Sequence, residues 1–178
     1  MTPDSVGPLS RPFPLHKVSP SGVEAAVDAN EAERAALAAD LGLPAIHRLE
    51  GRFRLTGARE RVTVRGRVSA SVEQICVVSL ESFPAEIDEE VEMSFAAPDE
   101  RRPRREAEEV ELSLDHDPPD ELTGDFVDLG AVTAEFLALG LDPFPRKPGV
   151  AFETPPEERE RESPFARLAE LHRKEADR

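Results

Sequence analysis

The sequence predicts an α+β domain: an antiparallel sheet, open or curled into a barrel, flanked by two helices and followed by a flexible C-terminal tail. Three observations predict it. Residues 61–72 alternate, with Val62, Val64, Val68 and Val72 on one face and Arg61, Thr63, Arg65 and Arg67 on the other, the period of a half-buried strand. Residues 86–95 repeat the pattern, setting Ile87, Val91, Met93 and Phe95 against Glu86, Asp88, Glu90 and Glu92. Residues 129–139 change to a helical stripe of Leu129, Val132, Phe136 and Leu139.

Taken in order, residues 13–18 read as a short strand. Residues 21–41 read as a helix carrying Val23, Val27, Ala32, Leu37 and Leu41, stopped by Gly42 and Pro44. Residues 46–55 form a strand in which Phe53 and Leu55 alternate with Arg52 and Arg54. Extending the count from Val72 puts Cys76, Val78 and Leu80 on the Val62 face, so the thiol is expected inside the sheet. Pro84 then marks a turn or bulge before the acidic strand. Residues 98–125 are charged and proline-rich, with a short edge strand expected over 110–114. Asp128 supplies an N-cap for the helix over 129–139, Gly140 ends it, and LDPFPRKPG (residues 141–149) is a stiff proline loop. Residues 1–150 are therefore expected to form a single domain. Residues 151–178 are expected to be a charged linker and a short amphipathic helix, opened by Ser163 and Pro164.

Composition limits the function. The 17 prolines crowd near the N-terminus, around residues 98–119 and around 143–164, leaving about 100–120 residues to bury one core. The net charge of −15 repels phosphate backbones at long range. There is no Trp or Tyr to build a base-stacking platform. A single cysteine permits no intramolecular disulfide. No apolar run approaches the roughly 20 residues of a membrane span, and the N-terminal stretch has no signal-peptide core. Cytoplasmic localisation without membrane contact is expected.

The chemistry-bearing residues point away from catalysis. Cys76 is followed at the spacing of a C-x-x-C pair by Ser79, whose hydroxyl is a poor metal ligand; a buried structural thiol is expected. His16, His47, His116 and His172 are dispersed and give Cys76 no local base. Asp115, His116, Asp117 and Asp120 lack the glycine turn of a calcium loop and read as a solvated acidic loop. Neither phosphate-binding glycine loops nor the H-E-x-x-H of metalloproteases is present. No enzymatic activity, cofactor or small-molecule substrate is expected.

The arginines are more informative. Residues 48–67 hold seven arginines against two glutamates. Arg52, Arg54, Arg61, Arg65 and Arg67 on adjacent strands would make a stripe able to position phosphates, with Arg146 and Lys147 as further candidate contacts. Direct RNA binding requires that stripe to be free of carboxylates; the competing arrangement is cross-strand pairing with Glu86, Asp88, Glu90 and Glu92. The cluster Arg101, Arg102, Arg104 and Arg105 lies among glutamates and reads as a solvated loop. The closing SPFARLAELHRK presents Phe165, Leu168 and Leu171 for docking on a partner, with packing on its own body or a frayed end as the alternatives.

Three stretches together resemble the YceD-like family of large ribosomal RNA subunit accumulation proteins: VRGRVSASVEQICVVSLESFPAEIDEEVEMSF (residues 64–95), DLGAVTAEFLALGLDPFPRKPG (128–149) and SPFARLAEL (163–171). The resemblance extends from about residue 13 to the C-terminus. It implies a non-catalytic part in the accumulation or maturation of large-subunit (23S) ribosomal RNA, with a large-subunit ribosomal protein or assembly factor as partner. Many members carry a Cys-x-x-Cys where this chain has Cys76 and Ser79, so a family-wide metal role is not carried over. An acidic protein in such a process is expected to work through a basic protein. The alternative is a direct RNA-binding module using the arginine stripe.

Overall fold

The computed structural model describes residues 7–58, 60–97, 119–122 and 124–152. The chain falls into two compact units, Met1–Lys147 and Pro148–Arg178. Of the second, only residues 148–152 are described, as a turn and coil. All regular elements among the described residues belong to the first.

They run β1 (Pro12–Pro14), a 3₁₀ turn (Leu15–Lys17), β2 (Val23–Asp28), α1 (Glu31–Leu41), β3 (Ala45–Ala58), β4 (Arg61–Ile75), β5 (Ser82–Ala96), β6 (Asp120–Glu121), β7 (Phe126–Asp128) and α2 (Leu129–Gly140). The main sheet has the order β2-β3-β4-β5-β6, antiparallel throughout except for the parallel β5–β6 pair; β1 and β7 form a separate two-stranded ribbon.

Period-2 patterning sets the sheet. Val62, Val64, Val68, Ala70 and Val72 of the central strand β4 are all 0% exposed. They meet Leu49, Phe53 and Leu55 of β3 and Ile87 and Val91 of β5 on the same buried face. A one-residue slip would carry this whole apolar set to the wet side, so burial fixes the register.

The sheet is open and not a barrel. Among the described residues β2 pairs only with β3, and β6 only with β5. Helix α2 instead contacts β2, β3, β4 and β5 across the buried face, so a helix covers the apolar surface that closure would have hidden. The close approach is made possible at Gly51, where a Cβ would stand 2.7 Å from the Thr133 hydroxyl.

The expected helix over 21–41 is corrected: it is a strand followed by a shorter helix. Val23, Ala25 and Val27 alternate with Glu24, Ala26 and Asp28 and pair with β3, so sheet hydrogen bonding wins over a pattern that also fits a helical stripe. The helix starts at a reciprocal cap. The Glu33 N–H donates to Asn30 Oδ1 at 3.0 Å, and the Asn30 N–H to Glu33 Oε2 at 2.9 Å. It ends at Gly42, as the sequence suggests. The strand expected over 13–18 shortens to β1 and a 3₁₀ turn. Pro84 marks neither a turn nor a bulge: it lies within β5 opposite Glu73, in an unshifted β4–β5 register, and the other edge of β5 has no strand partner along that stretch among the described residues. The expected strand at 110–114, linker at 153–162 and C-terminal helix lie outside the described residues.

Candidate functional site

The wet face of the sheet carries four charged columns. Glu24 and Asp28 lie on β2, Arg52 and Arg54 on β3, Arg65 and Arg67 on β4, and Glu86, Asp88, Glu90 and Glu92 on β5. The register puts Arg52 opposite Arg67 and Arg54 opposite Arg65. Like charges placed so are unfavourable unless anions are at hand, and carboxylates supply them for Arg52, Arg65 and Arg67. Arg52 grips Asp28 through two bonds of 3.1 Å and reaches Glu50 at 3.3 Å. Arg65 meets Glu92 at 2.6 Å; Arg67 meets Asp88 at 2.9 Å and Glu90 at 3.0 Å. The Arg52 guanidinium is held above its ordinary pKa, mainly by the hydrogen bond to Asp28. At Arg52, Arg65 and Arg67 the stripe is a set of ion pairs and not a patch free of carboxylates. Its β2 half, Glu24 and Asp28, was missed by reading 21–41 as a helix.

Arg54 donates to the Ser21 carbonyl at 2.8 Å. Arg54, Arg61 and Arg146 have no ion pair with a carboxylate among the described residues. Arg61 begins β4 and Arg146 lies by the turn after its far end, roughly 45 Å away along a strand of this length. The two therefore form no common patch.

The second feature is the β4–β5 turn. Cys76 is not a continuation of the strand face: β4 ends at Ile75, and the chain must reverse to bring β5 alongside. The Leu80 N–H donates to the Cys76 carbonyl at 2.9 Å, closing one helical turn. Leu80 adopts a left-handed φ of 58° and is 77% exposed. Val77 is also exposed, whereas Cys76 is fully buried. The loop after α2 docks on this turn. The Val77 N–H donates to the Pro145 carbonyl at 2.9 Å, Gln74 Nε2 to the Asp142 carbonyl at 3.3 Å, and Lys147 Nζ pairs with Glu81 at 2.8 Å. The Cys76 thiol is pulled down to about 6 by the Ser79 hydroxyl and by the backbone N–H groups of Ser79, Lys147 and Val78, against the opposing effect of burial. Those donors favour the thiolate, but buried sulfur has no access for a substrate. Among the described residues no three His, Cys, Asp or Glu side chains group to hold a metal ion.

The third feature is the N-cap of α2. Asp128 Oδ1 accepts from the Gly130 and Ala131 N–H groups at 2.9 and 3.2 Å, and from the Arg11 N–H at 2.7 Å. Its Oδ2 accepts from the Ser10 hydroxyl at 2.6 Å. The capping role is readable in the sequence; the grip on Ser10 and Arg11 is not, because it joins residues 117 and 118 positions apart. Phe165, Leu168 and Leu171 lie outside the described residues. No described helix is long and apolar enough to cross a membrane.

Comparison with curated proteins and with solved structures finds no match. A family model does match: that of the large ribosomal RNA subunit accumulation protein YceD, over residues 64–172. The matched span begins in β4, takes in the hairpin with its buried thiol, and runs through β5, α2 and the docked loop, more than half of the chain. The chain belongs to the YceD family, whose name ties it to the accumulation of large-subunit ribosomal RNA.

Proposed function

We propose that the protein supports accumulation or maturation of large-subunit (23S) ribosomal RNA as a non-enzymatic cytoplasmic factor acting through a basic protein partner. The observation that carries this reading is the pairing of Arg52, Arg65 and Arg67 with carboxylates on the flanking strands. Cations already neutralised in this way have little left to offer a phosphate backbone, and a chain of net charge −15 repels RNA at a distance. The same charge steers a basic ribosomal protein or assembly factor toward it. Phe165, Leu168 and Leu171 are proposed as a further anchor for that partner.

The test is affinity purification of the tagged full-length protein from cells, with bound proteins and RNA identified separately. A large-subunit ribosomal protein or assembly factor should be retained after nuclease treatment, and deletion of residues 163–178 should weaken its retention. Retention of 23S ribosomal RNA by the purified protein alone, falling steeply with salt, would favour direct RNA binding and defeat the partner reading.

A further inference from the structure

Beside α2 lies a groove of about 490 Å³ that neither the arginine columns nor the hairpin uses. Its floor is apolar: Met93 and Phe95 of β5, Leu122 after β6, Phe126 of β7 and Val132 of α2. Its ionisable lining is entirely acidic: Asp120, Glu121, Asp128 and Glu135. Asp128 is engaged at the helix cap, whereas Asp120, Glu121 and Glu135 are exposed and have no ion-pair partner among the described residues. This side of the sheet thus differs from the wet face, where arginines neutralise the carboxylates.

We infer that this groove is a docking site for a basic, amphipathic segment of a protein partner, and the inference rests on the partner reading above. Apolar side chains of the segment fill the floor while its lysines or arginines meet Asp120, Glu121 and Glu135 at the rim. The charge of the lining selects the occupant. A nucleic acid or an acidic peptide would set its own negative charge against carboxylates that have no ion-pair partner among the described residues, and a purely apolar ligand would supply them no counter-charge. The volume falls within the range of pockets that accept a few side chains, so recognition would be by a short anchor and not a broad flat face.

The experiment uses the full chain immobilised and, as probe, the RNA-free proteins stripped by lithium chloride from purified bacterial large ribosomal subunits. Retained proteins are identified by mass. Three variants are compared with wild type, each checked for native circular dichroism. Glu135→Lys reverses charge in the groove. Ala131→Phe fills it from an exposed helical position without changing charge. Asp40→Lys makes the same charge change on the exposed end of α1, away from the groove. Retention of one basic protein by wild type and Asp40→Lys, with at least a ten-fold loss in both groove variants, is the expected result. Equal retention by all four overturns the groove while leaving a protein partner in place. Equal loss in Glu135→Lys and Asp40→Lys with none in Ala131→Phe means unspecific charge attraction, and also overturns it. If wild type self-associates and the groove variants do not, the occupant is a second copy and the inference fails. Retention of nothing by wild type defeats the partner reading itself, and the groove assignment with it.

Discussion

Replacing Asp128 with alanine should be among the most damaging single changes at a partly exposed position. One carboxylate accepts four hydrogen bonds, two from the first turn of α2 and two from the N-terminal segment at Ser10 and Arg11. Loss of an N-cap costs about 1 kcal/mol. Each of the other two bonds goes to a charged acceptor; allowing for water reaching the freed donors, about 1 kcal/mol each is reasonable. Asp128→Ala should therefore destabilise by roughly 3 kcal/mol, which at a slope of about 2 kcal/mol per molar urea moves the midpoint down by about 1.5 M. Asp128→Asn keeps the Oδ1 acceptor for three backbone N–H groups, and its amide can donate to the Ser10 hydroxyl. It loses only the favourable charge at the helix N-terminus, about 1 kcal/mol or less. The assay is urea unfolding of wild type and both variants, followed by circular dichroism. A midpoint shift below about 0.3 M for the alanine variant, or asparagine as harmful as alanine, would refute the assignment of this residue as the joint between the chain's start and α2.

Other consequences can be measured in the same way. Leu80→Asn should raise stability by about 1 kcal/mol, because asparagine tolerates the left-handed backbone that leucine adopts there at a cost; an unchanged or lower midpoint would show that the exposed leucine packs on something. The Cys76 thiol should titrate near 6, seen as thiolate absorbance near 240 nm that Cys76→Ser abolishes. Because its folded pKa lies below the unfolded value, its contribution to stability is full above about pH 8.5 and is lost as pH falls through about 6. A wild-type minus Cys76→Ser stability difference that grows toward low pH would reverse that sign. Glu33 is likewise held below the usual carboxylate range, chiefly by Arg11 and then by the Asn30 N–H. Its contribution is present above the ordinary glutamate pKa and disappears in more acidic solution, so Glu33→Gln should converge with wild type there. Arg67→Ala should cost no more than about 1 kcal/mol, since its pairs with Asp88 and Glu90 are solvent-exposed; a loss of several kcal/mol would mean the columns are structural and not a screened surface.

The three long strands and α2 were legible because their apolar residues recur at a single period and are bounded by polar ones. β2 was not, since valines at 23 and 27 satisfy a helical spacing as well as a strand, and only pairing with residues 50–55 of β3 decides between them. The thiol's neighbourhood was misplaced for a different reason. Alternation continues smoothly through Cys76, Val78 and Leu80, and nothing local reveals that the chain must turn back to lay the acidic strand beside the basic one. The pairing of arginines with carboxylates could be anticipated from matched charge counts, but which partners meet depends on register, which turn geometry sets. The groove beside α2 was invisible because its lining comes from four separate stretches of chain.

The loop that leaves α2 gives the β4–β5 ribbon a mechanical character. Past Glu73, the last residue of β4 that pairs with β3, only β4 and β5 remain paired with each other, and such a projecting tip would ordinarily fray first. Here the Val77–Pro145 bond and the Lys147–Glu81 pair clamp the tip, while the bonds from Ala97 to Glu60 and from Leu122 to Ala96 clamp the base. The hairpin tip is therefore held from outside its own strands, by the loop after α2. Its Val77 amide should thus exchange with solvent only when the loop beyond α2 lets go, and its exchange rate reads out the state of that loop.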